Sequence, residues 1–487
     1  MTENTELPLE RRLAAEHRTL AFALRGLVRR APVVCNGETS VRNAVAKMKS
    51  EGVGSIVIVD ARARPAGLFV ERDLIDVALD AELDQPIEKF MRRDPLALAA
   101  HTPAYEAALA MIEHGIRHVL VTDGHTLLGV VSERDLFSLQ RLGLGELTME
   151  IRLAREIDTL ARLAERVRRL TRLLVSQGVA AEHLTLFVSL LNDRISQRVI
   201  ELVRKRHPWD RIGWCWLAFG SEGRLEQTFA TDQDNGLVFE THGAMRPTEA
   251  RATLLPFARA VNEALDACGY PLCEGNVMAS NPDLCLSVSE WRNKLSGWLD
   301  NSDPKALLDA AICFDFRALT GDATLATDLR EWFLDATSTR PNFLRLMAEN
   351  ALQGKPPLAR WRDFVTEAAP NAPGTINLKL HGVRLFVDTA RIRALARALP
   401  PTATGDRLRA AAAAGAMPAA EAEAIVAAFF FIQAIRLRHQ AGLASLTAET
   451  ANRIDPTRLN ELDRQTLKHA FVVAREMQAR LALDYQL

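Results

Sequence analysis

Apolar positions along this chain change their period several times, and each change marks an element. Between residues 32 and 140 one block occurs twice. Val41, Ala44, Val45 and Met48 fall at i, i+3, i+4 and i+7 behind Thr39-Ser40, the spacing of an amphipathic helix with a capping residue in front. Two apolar runs follow, Gly52-Val53-Gly54-Ser55-Ile56-Val57-Ile58-Val59-Asp60 and Gly67-Leu68-Phe69-Val70-Glu71-Arg72-Asp73-Leu74. The order returns with Tyr105, Ala108, Leu109 and Ile112 behind Thr102-Pro103, read as a cap followed by proline at the first helical position. Gly115-Ile116-Arg117-His118-Val119-Leu120-Val121-Thr122-Asp123 and Gly129-Val130-Val131-Ser132-Glu133-Arg134-Asp135-Leu136 complete the second copy. Gly52 and Gly115 are 63 residues apart and Gly67 and Gly129 are 62, so the copies differ by one loop residue. Each copy predicts helix, strand, strand, helix.

Residues 143–206 then read as helix. Leu153, Ile157, Leu160, Ala164, Val167, Thr171 and Leu174 step by alternating fours and threes, a heptad-like seam. It serves either a coiled coil or an amphipathic helix packed on its own neighbour, and its short length favours the second. A second helix is predicted near Leu184–Val203, folding back after Gly178. Pro208-Trp209 marks a break. Beyond it, Trp214–Phe219 predicts a strand, Gly220-Ser221 a turn, Glu222–Phe229 a short helix and Asp232–Glu240 a second strand. Residues 301–487 read as mainly helical, with alanine-rich stretches at 410–414 and 419–428 and breaks at Pro356-Pro357 and Pro400-Pro401. The fold class expected is α+β multidomain. It divides into an N-terminal helix (1–30), the doubled module (31–140), a helical connector (141–208), an α/β domain (209–300) and a mainly α C-terminal domain (301–487).

Composition narrows the function. Charged residues are 25% and hydrophobic residues 48%, ordinary for a globular protein. The net charge of −1 gives no global field toward nucleic acid or an anionic membrane, so nucleic acid is not the expected partner. The six cysteines form no CxxC pair and lack a histidine cluster, which reads as free thiols rather than zinc ligands. The N-terminus carries Glu3, Glu6, Glu10, Arg11 and Arg12 before any apolar run, unlike a signal peptide. The longest apolar run, Ala424–Ile432, is far short of the roughly 20 residues a membrane span needs. A cytoplasmic protein without a membrane partner is expected.

The strongest chemical signal is Gly220-Ser221-Glu222-Gly223-Arg224-Leu225-Glu226-Gln227 followed by Thr231-Asp232-Gln233-Asp234-Asn235. Residues i and i+2 of a strand share a face, so Asp232 and Asp234 aim two carboxylates at one point. Two hard oxygen ligands suit Mg²⁺ (or Mn²⁺) held together with substrate phosphates. The Gly220-Ser221 turn offers N–H groups and a hydroxyl to those phosphates. Taken alone, Asp-x-Asp also suits a solvated turn.

The doubled block resembles a tandem CBS pair, the module that commonly binds adenine nucleotides in a cleft between its halves. The resemblance implies that Asp135 with Ser132 holds a ribose and phosphate, and that Asp73 does so in the first copy, where Val70 replaces the hydroxyl. The ligand implied is AMP, ADP or ATP. The plainer reading is that Asp73 and Asp135 charge or cap their helix starts.

The Gly-Ser/Asp-x-Asp pattern resembles the polymerase-beta-like nucleotidyltransferase fold. More narrowly it resembles a bacterial family of signal-transduction nucleotidyltransferases that carry CBS pairs and are related to the uridylyltransferase of the PII protein. Gly220, Ser221, Gly223, Arg224, Glu226, Gln227, Asp232, Gln233, Asp234 and Asn235 meet that family's pattern. Cys273–Pro282 with Trp291, then Phe314-Asp315-Phe316-Arg317, Leu378-Lys379, Ala390-Arg391 and Arg436–Gln440, extend the likeness. It implies that Asp232 and Asp234 hold the metal and Gly220 and Ser221 the phosphates of an NTP donor, and that Arg224 steadies the departing pyrophosphate. The third carboxylate usual in active members has no clear counterpart, Glu274 being a weak match. A buried ion pair is the plainer reading of Asp315, Arg317 and Asp322, and a helix surface that of Lys379 and Arg391. The expected function is transfer of a nucleotidyl group to an acceptor protein under control of the CBS pair, in a homodimer. The alternative is a catalytically inactive nucleotide sensor.

Overall fold

The computed structural model describes residues 23–487 except 29, 63, 75, 76, 78–82, 125, 139–143, 301–306, 308, 309, 360–363, 370, 371, 444, 446, 448 and 449. The expected N-terminal helix lies largely outside these residues; within them, Leu24–Gly26 forms one 3₁₀ turn. Two compact units divide between Glu146 and Leu147.

In the first unit each copy builds a small sheet. Strands β1 (Val34–Asn36), β2 (Ser55–Val59), β3 (Pro65–Val70) and β4 (Arg92–Arg93) lie in that order. Strands β5 (Ala97–Ala99), β6 (His118–Asp123) and β7 (Thr126–Ser132) form the second sheet. The two long apolar runs of each copy pair antiparallel, while β1 and β5 add parallel to β2 and β6. Those two added strands are three residues long, too short to carry a period. Ser40 caps the Val41–Glu51 helix, its side chain accepting from Asn43 N. The cap expected at Thr102 is not made. The Ala104–His114 helix starts after Pro103 without a side-chain cap, and Thr102 is buried. Val57, Leu68 and Val70 of one sheet pack with Leu120 of the other, so the repeats share a core.

In the second unit the heptad seam is interrupted. One helix ends at Leu153, 63% exposed, and the next begins at Ile157. From Leu160 onward the seam is buried, with Leu160, Ala164, Val167, Thr171 and Leu174 on the face of the Ile157–Ser176 helix that meets Ala181–Arg204. The chain turns between them at Gly178, φ +73°, a conformation glycine adopts without strain.

The central sheet has the order β10-β9-β8-β11, with β8 Ile212–Ala218, β9 Asn235–Thr241, β10 Cys285–Ser287 and β11 Arg317–Gly321. Strand β8 is antiparallel to β9 and β11, and β10 is parallel to β9. Phe257 of the Pro247–Ala267 helix sits edge-on against Trp209, Trp214 and Trp216 at centroid distances of 5.0, 5.5 and 6.2 Å. Such pairs contribute roughly 0.5–1.5 kcal/mol each beyond burial. Trp291 packs on Phe219 and donates its indole N–H to Leu237 O at 3.0 Å.

Two expectations are corrected here. The second strand begins at Asn235, not Asp232, and the helix expected over 222–229 is a single turn, Gly220–Gly223, after which Leu225 takes φ +57°. Polar groups beyond that turn are drawn to tertiary partners: Gln227 N donates to Ser189 Oγ and the Glu226 carboxylate accepts from Thr404 N.

The C-terminal region is mainly helical, as expected, with long helices at Ala419–Ala441 and Glu461–Tyr485. It also holds a small antiparallel sheet of β12 (Glu367–Ala369), β13 (Ala372–Asn377) and β14 (Arg453–Ile454), which short Pro/Gly/Thr-containing segments did not announce. Among the described residues no helix is long and apolar enough to cross a membrane.

Candidate active site

Backbone pairing brings the two halves of the Gly-Ser/Asp-x-Asp motif together. Ala218 pairs with Asn235 at the end of the β8–β9 ladder, and Phe219 N extends it by donating to Asp234 O at 2.9 Å. Gly220 therefore lies against Asp234. A Cβ at Gly220 would stand 2.8 Å from Asp234 Oδ2, and its φ of +53° suits glycine. Ser221 follows, half-buried, in the same turn. The carboxylates of Asp232 and Asp234 converge with the Cys273 thiol, one ligand atom from each lying within 4.8 Å of the others.

Asp234 is 6% exposed, and burial followed by the neighbouring Asp232 charge raises its pKa to about 7. Two carboxylates side by side with so little solvent fit a divalent cation, which would neutralise both. Glu222, buried within reach of the Asp234 charge, is pushed to about 8 by burial and Asp193 against the pull of Arg317. Lys379, on the Lys379–Val383 π-helical turn, is near enough for its charge to act on Asp234. Glu274 is exposed and does not join the cluster.

Alternation along Asp232-Gln233-Asp234-Asn235 separates ligand from scaffold. The side chains between the aspartates are tied inward. Gln233 Nε2 donates to Asn262 O and Tyr270 O at 2.9 and 2.8 Å, and Asn262 Nδ2 donates to Gln233 Oε1 and Asn235 Oδ1 at 2.7 and 3.0 Å. Asn235 Oδ1 also accepts from Ala279 N. Gln227 Oε1 accepts from Asn192, whose Oδ1 takes the Tyr270 hydroxyl. The amides of the motif are thus structural, and they hold the acidic pair in one orientation.

Arg224 lies in a buried ion cluster. It donates to Glu226 at 2.9 Å and to Asp315 at 2.7 Å. Asp315, fully buried, is also met by Arg391 at 2.6 Å and Arg407 at 2.7 Å. Burial alone would raise the Asp315 carboxyl; Arg391, Arg407 and Arg224 overcome that and hold it well below the usual range. Arg391 is therefore core rather than helix surface. Arg317 pairs with Asp193 and donates to Glu222 O, whereas Asp322 is exposed and caps the Ala323–Ser338 helix.

In the first unit a cleft of about 1230 Å³ is lined by residues of both copies, among them Arg72, Arg92, Arg117, His118, Ser132 and Asp135. Asp135 accepts from Ser132 Oγ at 2.6 Å and Ser132 N at 2.9 Å. Asp73 accepts from Val70 N and is paired with Arg92 at 2.7 Å, and it does not line the cleft. Burial lowers the His118 pKa, so that ring is neutral near pH 7.

A four-stranded sheet with a Gly-Ser turn set against paired aspartates, in one chain with a doubled helix-strand-strand-helix module, defines a nucleotidyltransferase-type protein with CBS domains. Comparison with known families agrees. Residues 165–305 match the family described as "Putative nucleotidyltransferase DUF294", residues 341–485 its "Putative nucleotidyltransferase substrate binding domain", and residues 24–80 and 87–141 the CBS domain. The chain belongs to this family of CBS-bearing nucleotidyltransferase proteins. Curated relatives include an uncharacterized 17.7 kDa protein of Acidianus ambivalens, 32% identical over 104 residues, which are 21% of this chain and 63% of that protein. Hypoxic response protein 1 of Mycobacterium tuberculosis is 31% identical over 110 residues, 22% of this chain and 77% of that protein. The chain spans 63% and 61% of the first two curated relatives it matches. Among solved structures, a CBS domain protein from Pyrobaculum aerophilum complexed with AMP is 29% identical, covering 26% of this chain and 99% of its own, with a TM-score of 0.24.

Proposed function

We propose that this protein is a Mg²⁺- or Mn²⁺-dependent nucleotidyltransferase that moves a nucleotidyl group from an NTP to an acceptor protein, controlled by an adenine nucleotide in the CBS cleft. The convergence of the Asp232 and Asp234 carboxylates beside the Gly220-Ser221 turn carries this reading. Asp232 and Asp234 would hold the cation, which supplies charge neutralisation at the phosphates. Ser221 and the Gly220 turn position the triphosphate, and Lys379, whose charge acts on Asp234, supplies a cation to the phosphates. Arg224, tied to Glu226 and Asp315, acts on the leaving pyrophosphate through the shape and field of that cluster. The helical domain that holds Arg391 and Arg407 receives the acceptor. In the cleft, Ser132 and Asp135 take the ribose and the arginines the phosphates. The setting proposed is cytoplasmic and homodimeric.

One observation favours a second reading, a non-catalytic nucleotide sensor: the group that joins the aspartates is a thiol and not a third carboxylate. The deciding experiment incubates the full-length protein with Mg²⁺ and each labelled NTP, with and without a PII-type protein. Pyrophosphate release by the wild type, lost in Asp232→Ala/Asp234→Ala, is expected. Equal release by both proteins removes the enzymatic reading.

A further inference from the structure

Cys273 occupies the third corner of the acidic site, and the transfer reaction as described above gives it no task. Its thiol donates to Asp234 Oδ1 at 3.5 Å. Among the described residues no other side-chain hydrogen bond reaches that buried carboxylate. With a metal–sulfur bond of about 2.3 Å and a metal–oxygen bond of about 2.1 Å, the sulfur–oxygen edge of a tetrahedral site is about 3.6 Å. The observed separation, an ordinary thiol hydrogen bond as it stands, is within about 0.1 Å of that edge, so both atoms can meet one cation without rearrangement.

The position is built into the backbone. Cys273 lies two residues after Pro271, whose O accepts from Gln233 N at 3.0 Å, so the motif itself fixes where the residue falls. A tight turn closes behind it, with Asn276 N donating to Cys273 O at 2.9 Å and Asn276 at φ +53°. Cys215, Cys268 and Cys285 are buried elsewhere, Cys313 is buried near enough to feel the charges of Asp234 and Cys273 but does not join the ligand cluster, and Cys35 belongs to the other unit.

We propose that Cys273 is the third protein ligand of the cation held by Asp232 and Asp234, and that its sulfur tilts the site from Mg²⁺ toward thiophilic cations such as Zn²⁺ or Cd²⁺. The inference rests on reading the two aspartates as metal ligands. Mg²⁺ demands oxygen ligands in near-octahedral array, whereas a thiolate favours softer ions. On ligation the sulfur donates its lone pair, its proton passes to solvent, and no group changes oxidation state.

The test uses the full-length protein and Cd²⁺ alone, with no nucleotide. The wild type should develop the ultraviolet thiolate-to-cadmium charge-transfer band, saturating at one equivalent. Cys273→Ser should lose that increment while still binding cations by calorimetry, with the ratio of Cd²⁺ to Mg²⁺ affinity falling about tenfold or more. Cys273→Asp should also lose the band and should bind Mg²⁺ more tightly than the wild type. If both variants unfold, alkylation of the wild type with peptide mass readout serves instead: Cd²⁺ should protect Cys273. The same band in wild type and Cys273→Ser, an unchanged affinity ratio, or unprotected Cys273 with Cd²⁺ bound overturns the proposal. Nucleotide turnover that needs Asp234 but shows no band removes the thiol ligand and leaves the enzyme. A band without turnover removes the enzyme and leaves the ligand.

Discussion

Asp234 and Glu222 are carboxyls folded into places where ionisation is costly. Glu222 has its pKa raised to about 8, by burial first and Asp193 second. A carboxyl whose folded pKa lies above its ordinary value of 4.5 stabilises the fold while protonated, and that contribution is lost as pH rises toward the folded value. The metal-free protein should therefore lose stability from about pH 4.5 to about pH 8. Glu222→Gln should flatten that slope in melting temperatures followed by circular dichroism. A divalent cation should raise the melting temperature more at pH 8 than at pH 5, since it neutralises Asp234 only once that group has ionised. An equal effect at both pH values would contradict this. Gly223 makes a steric demand of a different kind: a Cβ there would stand 1.8 Å from Asp315 O. Gly223→Ala should unfold the protein or move the Gly-Ser turn, lowering urea-unfolding stability by about 3 kcal/mol or more.

At the scale of elements, the single turn Gly220–Gly223 and the Thr404–Ala413 helix are joined by charge. Glu226 accepts from Thr404 N at the start of that helix, and Thr402 Oγ1 donates to Gly223 O at 2.8 Å. Asp315 binds Arg224, Arg391 and Arg407 together from three different elements. Removing its charge leaves buried guanidinium groups uncompensated. Asp315→Asn should cost about 3–5 kcal/mol, measured by equilibrium urea unfolding, and should impair Arg224-dependent chemistry as well. Arg407 shows why the effect should be large. Burial lowers its pKa, and its Nη atoms lack well-aligned hydrogen bonds even with Asp315 at ion-pair distance. A loss below 1 kcal/mol would mean that solvent reaches the cluster.

Across the whole molecule, one chain carries a CBS pair and a nucleotidyltransferase type of domain. Adenine nucleotide should stabilise the full-length protein through the cleft of the first unit. A calorimetric titration with AMP and ATP should give binding that Asp135→Asn weakens severalfold and that Asp73→Asn weakens less, because Asp73 is held by Arg92 outside the cleft lining. Equal losses would overturn that ranking.

The amino-acid order was enough to announce the doubled module, the helical C-terminal region and the acidic pair, because each rests on local rules: a helical or strand period, a repeat at fixed offset, and i/i+2 alternation in extended chain. It also carried the motif within which Gly220, Asp232 and Asp234 meet. What it could not carry were partners far along the chain. Arg224 looked like a free phosphate contact until Asp315, 91 residues on, met it. Gln233 and Asn235 were only letters of the motif until Asn262 tied them inward. Cys273 looked like one more free thiol until β8, β9 and the turn after Pro271 set it beside two carboxylates. In each case the deciding term is burial next to a charge or an amide from a remote segment, and that energy exists only once the chain has closed on itself.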